Sequence, residues 1–76
     1  MNKEDMDKFI QRANLMGNGE AISEMVNDNH IIITKEDGKY HVTIWFAHNA
    51  LPIHNEYFET AIQIEAFLRK LHYIYY

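Results

Sequence analysis

The chain has 76 residues, no cysteine and a formal net charge of −4 at pH 7. A chain of this length forms one small domain, and the lack of cysteine excludes disulfides, thiolate metal sites and cysteine nucleophiles. No apolar run approaches the roughly 20 residues that span a bilayer, and the polar start MNKEDMDKF is unlike a signal peptide. We therefore expect a single domain over residues 1–76, located in the cytoplasm and without membrane contact.

The basic residues are scattered along the chain rather than clustered. Nucleic-acid binding normally depends on grouped Lys and Arg side chains that neutralise phosphates, and a negatively charged protein repels a phosphate backbone at long range. We therefore expect no direct binding to nucleic acid.

The first predicted element is a helix from about Lys3 to Met16, because apolar residues recur there at helical spacing. Asn2 is a suitable N-cap, and acidic residues in the first turn suit the positive end of the helix dipole. Gly17 and Gly19 tolerate the left-handed backbone that commonly ends a helix, so we expect the helix to stop before them.

The next segment is predicted as a short amphipathic helix that ends in the turn-forming residues 27–29. Its apolar side carries Ala21, Ile22, Met25 and Val26. Its acidic residues form a mildly negative surface and are Glu20, Glu24 and Asp28.

Asp37 and Gly38 stand between two runs rich in β-branched and aromatic residues, a pattern typical of a hairpin with a two-residue type I′ turn. Such a turn fixes the register of the two strands. The predicted cross-strand pairs are Glu36 with Lys39, Ile33 with Val42, and Ile31 with Ile44.

Side chains alternate along a strand, so the hairpin has two faces of different composition. The apolar face, which we expect to meet the core, carries Ile31, Ile33, Tyr40, Val42, Ile44 and Phe46. The other face, here called the open face, carries His30, Ile32, Thr34, His41, Thr43 and Trp45.

After a turn-rich connection, residues 55–59 predict a third and shorter strand. Thr60 and Gln63 have the spacing of a capping box, and apolar residues follow helical spacing from Ala61 to about Tyr73. The predicted fold is therefore α+β, with an N-terminal helix, a short helix, a three-stranded antiparallel meander, and a C-terminal amphipathic helix packed on one sheet face.

Four of the five histidines fall between His30 and His54. On the predicted register His30 and His41 stand about 13 Å apart, since each residue advances a strand by ~3.3 Å, and one metal ion cannot join them. His48 and His54 flank the turn-rich connection and could converge, but a zinc site needs three or four ligands. We expect no metal site and no cofactor.

Catalytic motifs are missing from the sequence, including those of hydrolases, metalloproteases, kinases and phosphate-binding loops. A domain of this size also has little material from which to build a deep substrate pocket. We therefore expect a protein that is not an enzyme.

The open face is left uncovered if every helix packs on the apolar face. Trp45 beside Ile32 then needs an explanation, because Trp is enriched at the centres of protein interfaces. Three explanations remain open: the N-terminal helix covers Trp45, two copies associate through this face, or a different protein binds there. For the last, the predicted binding residues on the face and its acidic rim are Trp45, Ile32, His41, His30, Glu20, Glu24 and Asp28.

The order helix, three strands, helix resembles the double-stranded-RNA-binding domain over most of the chain. That family docks RNA with lysines at the start of its last helix, whereas the corresponding stretch here, TAIQIEAFL, has no basic residue. RNA binding is therefore not carried over.

The chain is also similar in type to the small acidic inhibitors made by phages and mobile elements, including anti-CRISPR proteins. The shared features are small size, absence of catalytic motifs, the compact hairpin KEDGKYHVTIWF and one amphipathic closing helix. This resemblance implies a phage protein that acts in the cytoplasm of a bacterial host. Its partner would be a CRISPR effector or another nucleic-acid-binding machine, blocked by steric or electrostatic occlusion.

Our leading hypothesis is accordingly a non-enzymatic protein-binding module of this inhibitor type. The alternative is a small homodimeric structural or regulatory protein that associates through its open face.

Overall fold

The structure is a computed structural model that describes residues 2–47 and 49–73. The elements follow the order α1 (Lys3–Asn14), β1 (Ala21–Val26), β2 (Asn29–Glu36), β3 (Lys39–Phe46), β4 (His54–Phe58) and α2 (Ala61–Lys70). The strands form one antiparallel sheet in chain order, and buried side chains of both helices join those of the sheet in a single core. The α+β class is confirmed. Both helices lie on the same face of the sheet, which makes a two-layered domain with Cα extents of 31 × 29 × 17 Å.

The predicted short helix is wrong, because that segment is strand β1 and pairs with β2 along its whole length, from Ala21 with Thr34 to Val26 with Asn29. A six-residue helix is marginal, whereas pairing with β2 satisfies the backbone groups of alternate residues of this segment. Asn27 adopts a φ of 55°, which permits the tight two-residue turn into β2. The sheet therefore has four strands rather than three, and the helix–four strands–helix order departs from that of the RNA-binding domain.

The hairpin of β2 and β3 forms as predicted. Asp37 and Gly38 both have positive φ, at 51° and 77°, as a type I′ turn requires. Each predicted cross-strand pair is present. The apolar face is buried against the helices except at its end, where Phe46 is 46% exposed.

Helix α1 begins as predicted, since the Asn2 side chain accepts a hydrogen bond of 2.8 Å from the backbone N–H of Asp5. It ends at Asn14, earlier than the predicted Met16, although Met16 is still buried. The buried Tyr40 hydroxyl donates to the Ala13 carbonyl at 2.9 Å and fixes this end of α1 against β3.

Helix α2 has the predicted capping box between Thr60 and Gln63. It ends at Lys70 rather than near Tyr73, and His72 adopts a left-handed φ of 64°. The preceding strand β4 starts and ends one residue earlier than predicted. The buried face of α2 carries Ala61, Ile64 and Leu68.

Candidate functional site

The open face extends across all four strands, because neither helix packs on it and residues paired directly across an antiparallel sheet share a face. Its side chains form three rows across the sheet. These rows are Met25–His30–Trp45, Ser23–Ile32–Thr43–Asn55 and Ala21–Thr34–His41–Tyr57. Of the three explanations left open by the sequence, covering of Trp45 by the N-terminal helix is excluded, since α1 packs with α2 on the other side.

A groove of about 400 Å³ lies at the end of the open face where β1 turns into β2. Its lining includes Trp45, Ile32, His30, Met25 and Asp28, and we call it the Trp45 groove. Trp45, His30 and Ile32 are half-buried, whereas Met25 is 60% exposed. The groove is therefore a largely apolar depression with one carboxylate and one imidazole at its border.

The indole of Trp45 has an unusual polar environment. Its Nε1–H is closed off from solvent and has no hydrogen-bond acceptor among the described residues. A buried donor without an acceptor costs about 1–3 kcal/mol. Among residues 2–47 and 49–73 this donor is unpaired, and an acceptor from a partner could satisfy it.

A second cluster occupies the other end of the open face. The His41 ring stacks on Tyr57 with centroids 4.3 Å apart and planes 5° from parallel, and His41 Nε2 hydrogen bonds to Asn55 Oδ1. The amide oxygen is an acceptor, so Nε2 is the donor in this hydrogen bond. His41 therefore shares the open face with Trp45 but belongs to a separate polar and aromatic group.

The predicted acidic rim is not assembled. Asp28 borders the Trp45 groove. Glu20 lies at the opposite end of β1, where its carboxylate accepts a hydrogen bond from the Gly17 N–H. Glu24 pairs across the sheet with the buried Ile31 and so faces the helical layer. We predicted that one short helix would carry these residues. In the structure the alternation of side chains along a strand separates them.

The described residues, 2–47 and 49–73, contain no group of three or more His, Asp or Glu side chains positioned to hold a metal ion. His54 is half-buried on the helical side, where its ring meets the Phe67 ring edge-on at 5.8 Å between centroids. The predicted convergence of His48 with His54 lies outside the described residues. Within the same ranges, no helix is long and apolar enough to cross a membrane.

Five residues of the open face were missed from the sequence: Ala21, Ser23, Met25, Asn55 and Tyr57. Met25 was assigned to a helix, although Asn27 and Asp28 after it are a possible two-residue hairpin turn and could have indicated a strand. Asn55 and Tyr57 depend on the register between β3 and β4, which no tight turn specifies.

The comparisons with known proteins give no guide to function, because no family model, curated protein or solved structure was found to match the chain. Function is therefore argued from the geometry of the open face.

Proposed function

We propose that the protein is a non-enzymatic module that binds another protein through the Trp45 groove. The observation that supports this most strongly is the position of the single tryptophan of the chain, half-exposed in a groove of about 400 Å³ on the sheet face that neither helix covers. Trp45 is not among the buried residues of the main core, so its size and position need another role.

The composition of the groove suits a protein partner. Trp45 supplies a large, rigid contact area, and Met25 is flexible enough to adapt to an incoming side chain. Ile32 extends the apolar floor toward the middle of the sheet. An apolar side chain of the partner would fill the groove, and a carbonyl oxygen beside it would reach the orphaned indole N–H after a small shift of the ring.

The negative charge of the protein favours some partner surfaces over others. The protein has a net charge of −4, and Asp28 stands at the border of the groove. An acidic domain associates fastest with a basic surface, because complementary potentials steer the encounter. A basic surface near an apolar side chain is the partner chemistry that fits.

Proteins that bind nucleic acids carry such basic surfaces. An acidic domain seated there excludes the phosphate backbone by occupancy and by charge. The finer proposal is therefore an inhibitor of a bacterial nucleic-acid-binding machine, of the kind that phages and mobile elements encode. Its support is the similarity of type and the acidic, compact character of the chain.

The test is a capture experiment with the tagged wild type, Trp45→Ala and Ile62→Ala. Ile62 is 74% exposed on α2, so Ile62→Ala removes an accessible apolar group from the other side of the molecule. We expect one protein to be retained by the wild type and by Ile62→Ala and to be lost with Trp45→Ala. Circular dichroism and thermal melting establish that each variant is folded.

Equal retention by all three forms would contradict the assignment to the Trp45 groove. For the inhibitor proposal, the captured protein is tested for nucleic-acid binding in the presence of each form. We expect the wild type to reduce that binding and Trp45→Ala to leave it unchanged; no reduction by the wild type would overturn the inhibitor proposal while leaving the binding module in place.

A further inference from the structure

We propose that two copies of this chain pair antiparallel through the free edge of β1, which joins two four-stranded sheets into one continuous sheet. This inference goes beyond the proposed function and rests on the backbone of β1 and on Arg12 and Glu24, although Met25 borders both grooves. It concerns the edge of the sheet and the groove between that edge and α1, whereas partner binding concerns the open face.

The backbone of β1 has an unused side. Lys35 donates its N–H to the Glu20 carbonyl at 3.2 Å, so the odd-numbered residues of β2 point their backbone groups toward β1. By the register, Ile22 and Glu24 point theirs back toward β2. The N–H and C=O groups of Ser23, and those of the residues two positions before and two positions after it, therefore point away from the sheet. A further strand can bond to them there.

A groove of about 450 Å³ runs beside this edge, between α1 and β1. It is lined by two cations, two carboxylates, an aromatic ring and a thioether, namely Lys8, Arg12, Asp5, Glu24, Phe9 and Met25. A surface that carries both signs of charge beside an apolar floor is suited to its own copy. A two-fold axis brings the cations of one chain to the carboxylates of the other and the reverse.

A register centred on Ser23 fits this charge pattern. With Ser23 on the two-fold axis, Ser23 pairs with Ser23 of the second copy, and Glu24 lies opposite Ile22 of the second copy. A shift of the axis to Glu24 would set two carboxylates directly opposite each other, which is destabilising. The Ser23 register avoids that repulsion.

A charge that points inward on an edge strand, as Glu24 does, commonly prevents the addition of a further strand. Here it faces a groove that also contains Lys8 and Arg12. The structure gives Arg12 and Glu24 no ion pair with one another within a chain, although both border the same groove. The pairing we infer places Arg12 of each copy beside Glu24 of the other.

The other edge of the sheet is less suited to this pairing. Strand β4 has five residues with the exposed Glu56 at its centre. Antiparallel self-pairing about that centre would oppose two Glu56 side chains. Strand β1 is also the longer of the two edges, with six residues against five, and we infer the pairing there.

Pairing through β1 has a consequence for partner binding. Residues opposite each other in a sheet share a face, so both Trp45 grooves lie on the same side of the joined sheet. Met25 at the border of each groove stands on the strand next to the two-fold axis. The dimer presents two equivalent grooves to one partner surface.

The first test is the molar mass measured by light scattering from about 10 μM to about 1 mM, the range in which a contact of this size is populated. The chain has a mass of 9.1 kDa, and we expect twice that value, 2 × 9.1 kDa, at the upper end. Ser23→Pro removes the outward N–H and spares the ladder to β2, so we expect it to give the single-chain mass. The matched control is Asn55→Pro on the β4 edge, which we expect to keep the dimer.

The second test reverses the inferred ion pair. Arg12→Glu and Glu24→Arg are each expected to weaken association by about tenfold or more, and the double variant is expected to restore it. Circular dichroism shows whether each variant folds, and the charge variants keep the proposal testable if Ser23→Pro does not fold.

Two results would overturn the proposal. One is a mass of 9.1 kDa for the wild type at every concentration. The other is a dimer that survives Ser23→Pro and both charge reversals but is lost with Trp45→Ala, which would place the contact on the open face. Neither result depends on whether a foreign partner is captured.

Discussion

Ile31 and Ile32 are adjacent in β2 and chemically identical, yet they serve the two sides of the sheet differently. Ile31 is fully buried between the sheet and the helices, whereas Ile32 is half-buried and borders the Trp45 groove. The same contrast separates Tyr40, whose hydroxyl is bonded to the Ala13 carbonyl, from Tyr57, which is 67% exposed. One face of this thin domain holds the fold together, and the other keeps large side chains available.

The largest expected effect comes from truncating the two isoleucines. Ile31→Ala should lower the free energy of unfolding by about 2–5 kcal/mol, because it leaves a cavity in a closed core. Ile32→Ala should cost less than about 1.5 kcal/mol, since water and neighbouring side chains can fill the space. Urea denaturation followed by circular dichroism gives both values. Equal losses would mean that the open face is covered.

The two tyrosines test the same difference between the faces, because a Tyr→Phe substitution removes only the hydroxyl group. Tyr40→Phe removes a buried hydrogen bond to the end of α1 and should cost about 1 kcal/mol. Tyr57→Phe should leave the free energy of unfolding within about 0.5 kcal/mol of the wild type, because its surface position offers water as an alternative partner. A larger loss for Tyr57→Phe would show that the stack with His41 supports the fold.

The smallest effect concerns alkaline pH. Partial burial against the helical side of the core raises the pKa of the Tyr73 hydroxyl above its ordinary value. Above about pH 10 the unfolded chain loses this proton while the folded chain retains it, so stability falls as pH rises through that region. Tyr73→Phe should reduce this fall relative to the wild type. Thermal melting of both proteins at pH 9, 10 and 11 measures the difference, and identical slopes for the variant and the wild type would contradict it.

The elements that could be predicted from sequence are those with a local physical cause. The turn at Asp37 and Gly38 fixed the β2–β3 register, and the caps at Asn2 and Thr60 fixed where the helices begin. Each of these depends on interactions within four residues, so no knowledge of the tertiary structure is needed. Trp45, His30 and Ile32 were placed together by alternation along the same hairpin.

The remaining parts depend on long-range pairing. The segment AISEMV has spacing that suits either a short helix or a strand, and only its pairing with β2 decides the outcome. Because this segment was predicted as a helix, Glu20 and Glu24 were also placed wrongly. For the same reason Met25 was not recognised as a residue of the open face. The group formed by His41, Asn55 and Tyr57 required the β3–β4 register, which the long connection between those strands leaves undetermined in the sequence.

The central claim, that the face carrying Trp45 is open and stays open, can be measured directly because Trp45 is the single tryptophan. We would quench its fluorescence with acrylamide at low and high protein concentration. We expect a quenching constant between those of a buried and a free indole. We also expect this constant to stay unchanged when the chain dimerises through β1. A quenching constant near that of a buried indole, or one that falls as the protein associates, would contradict it.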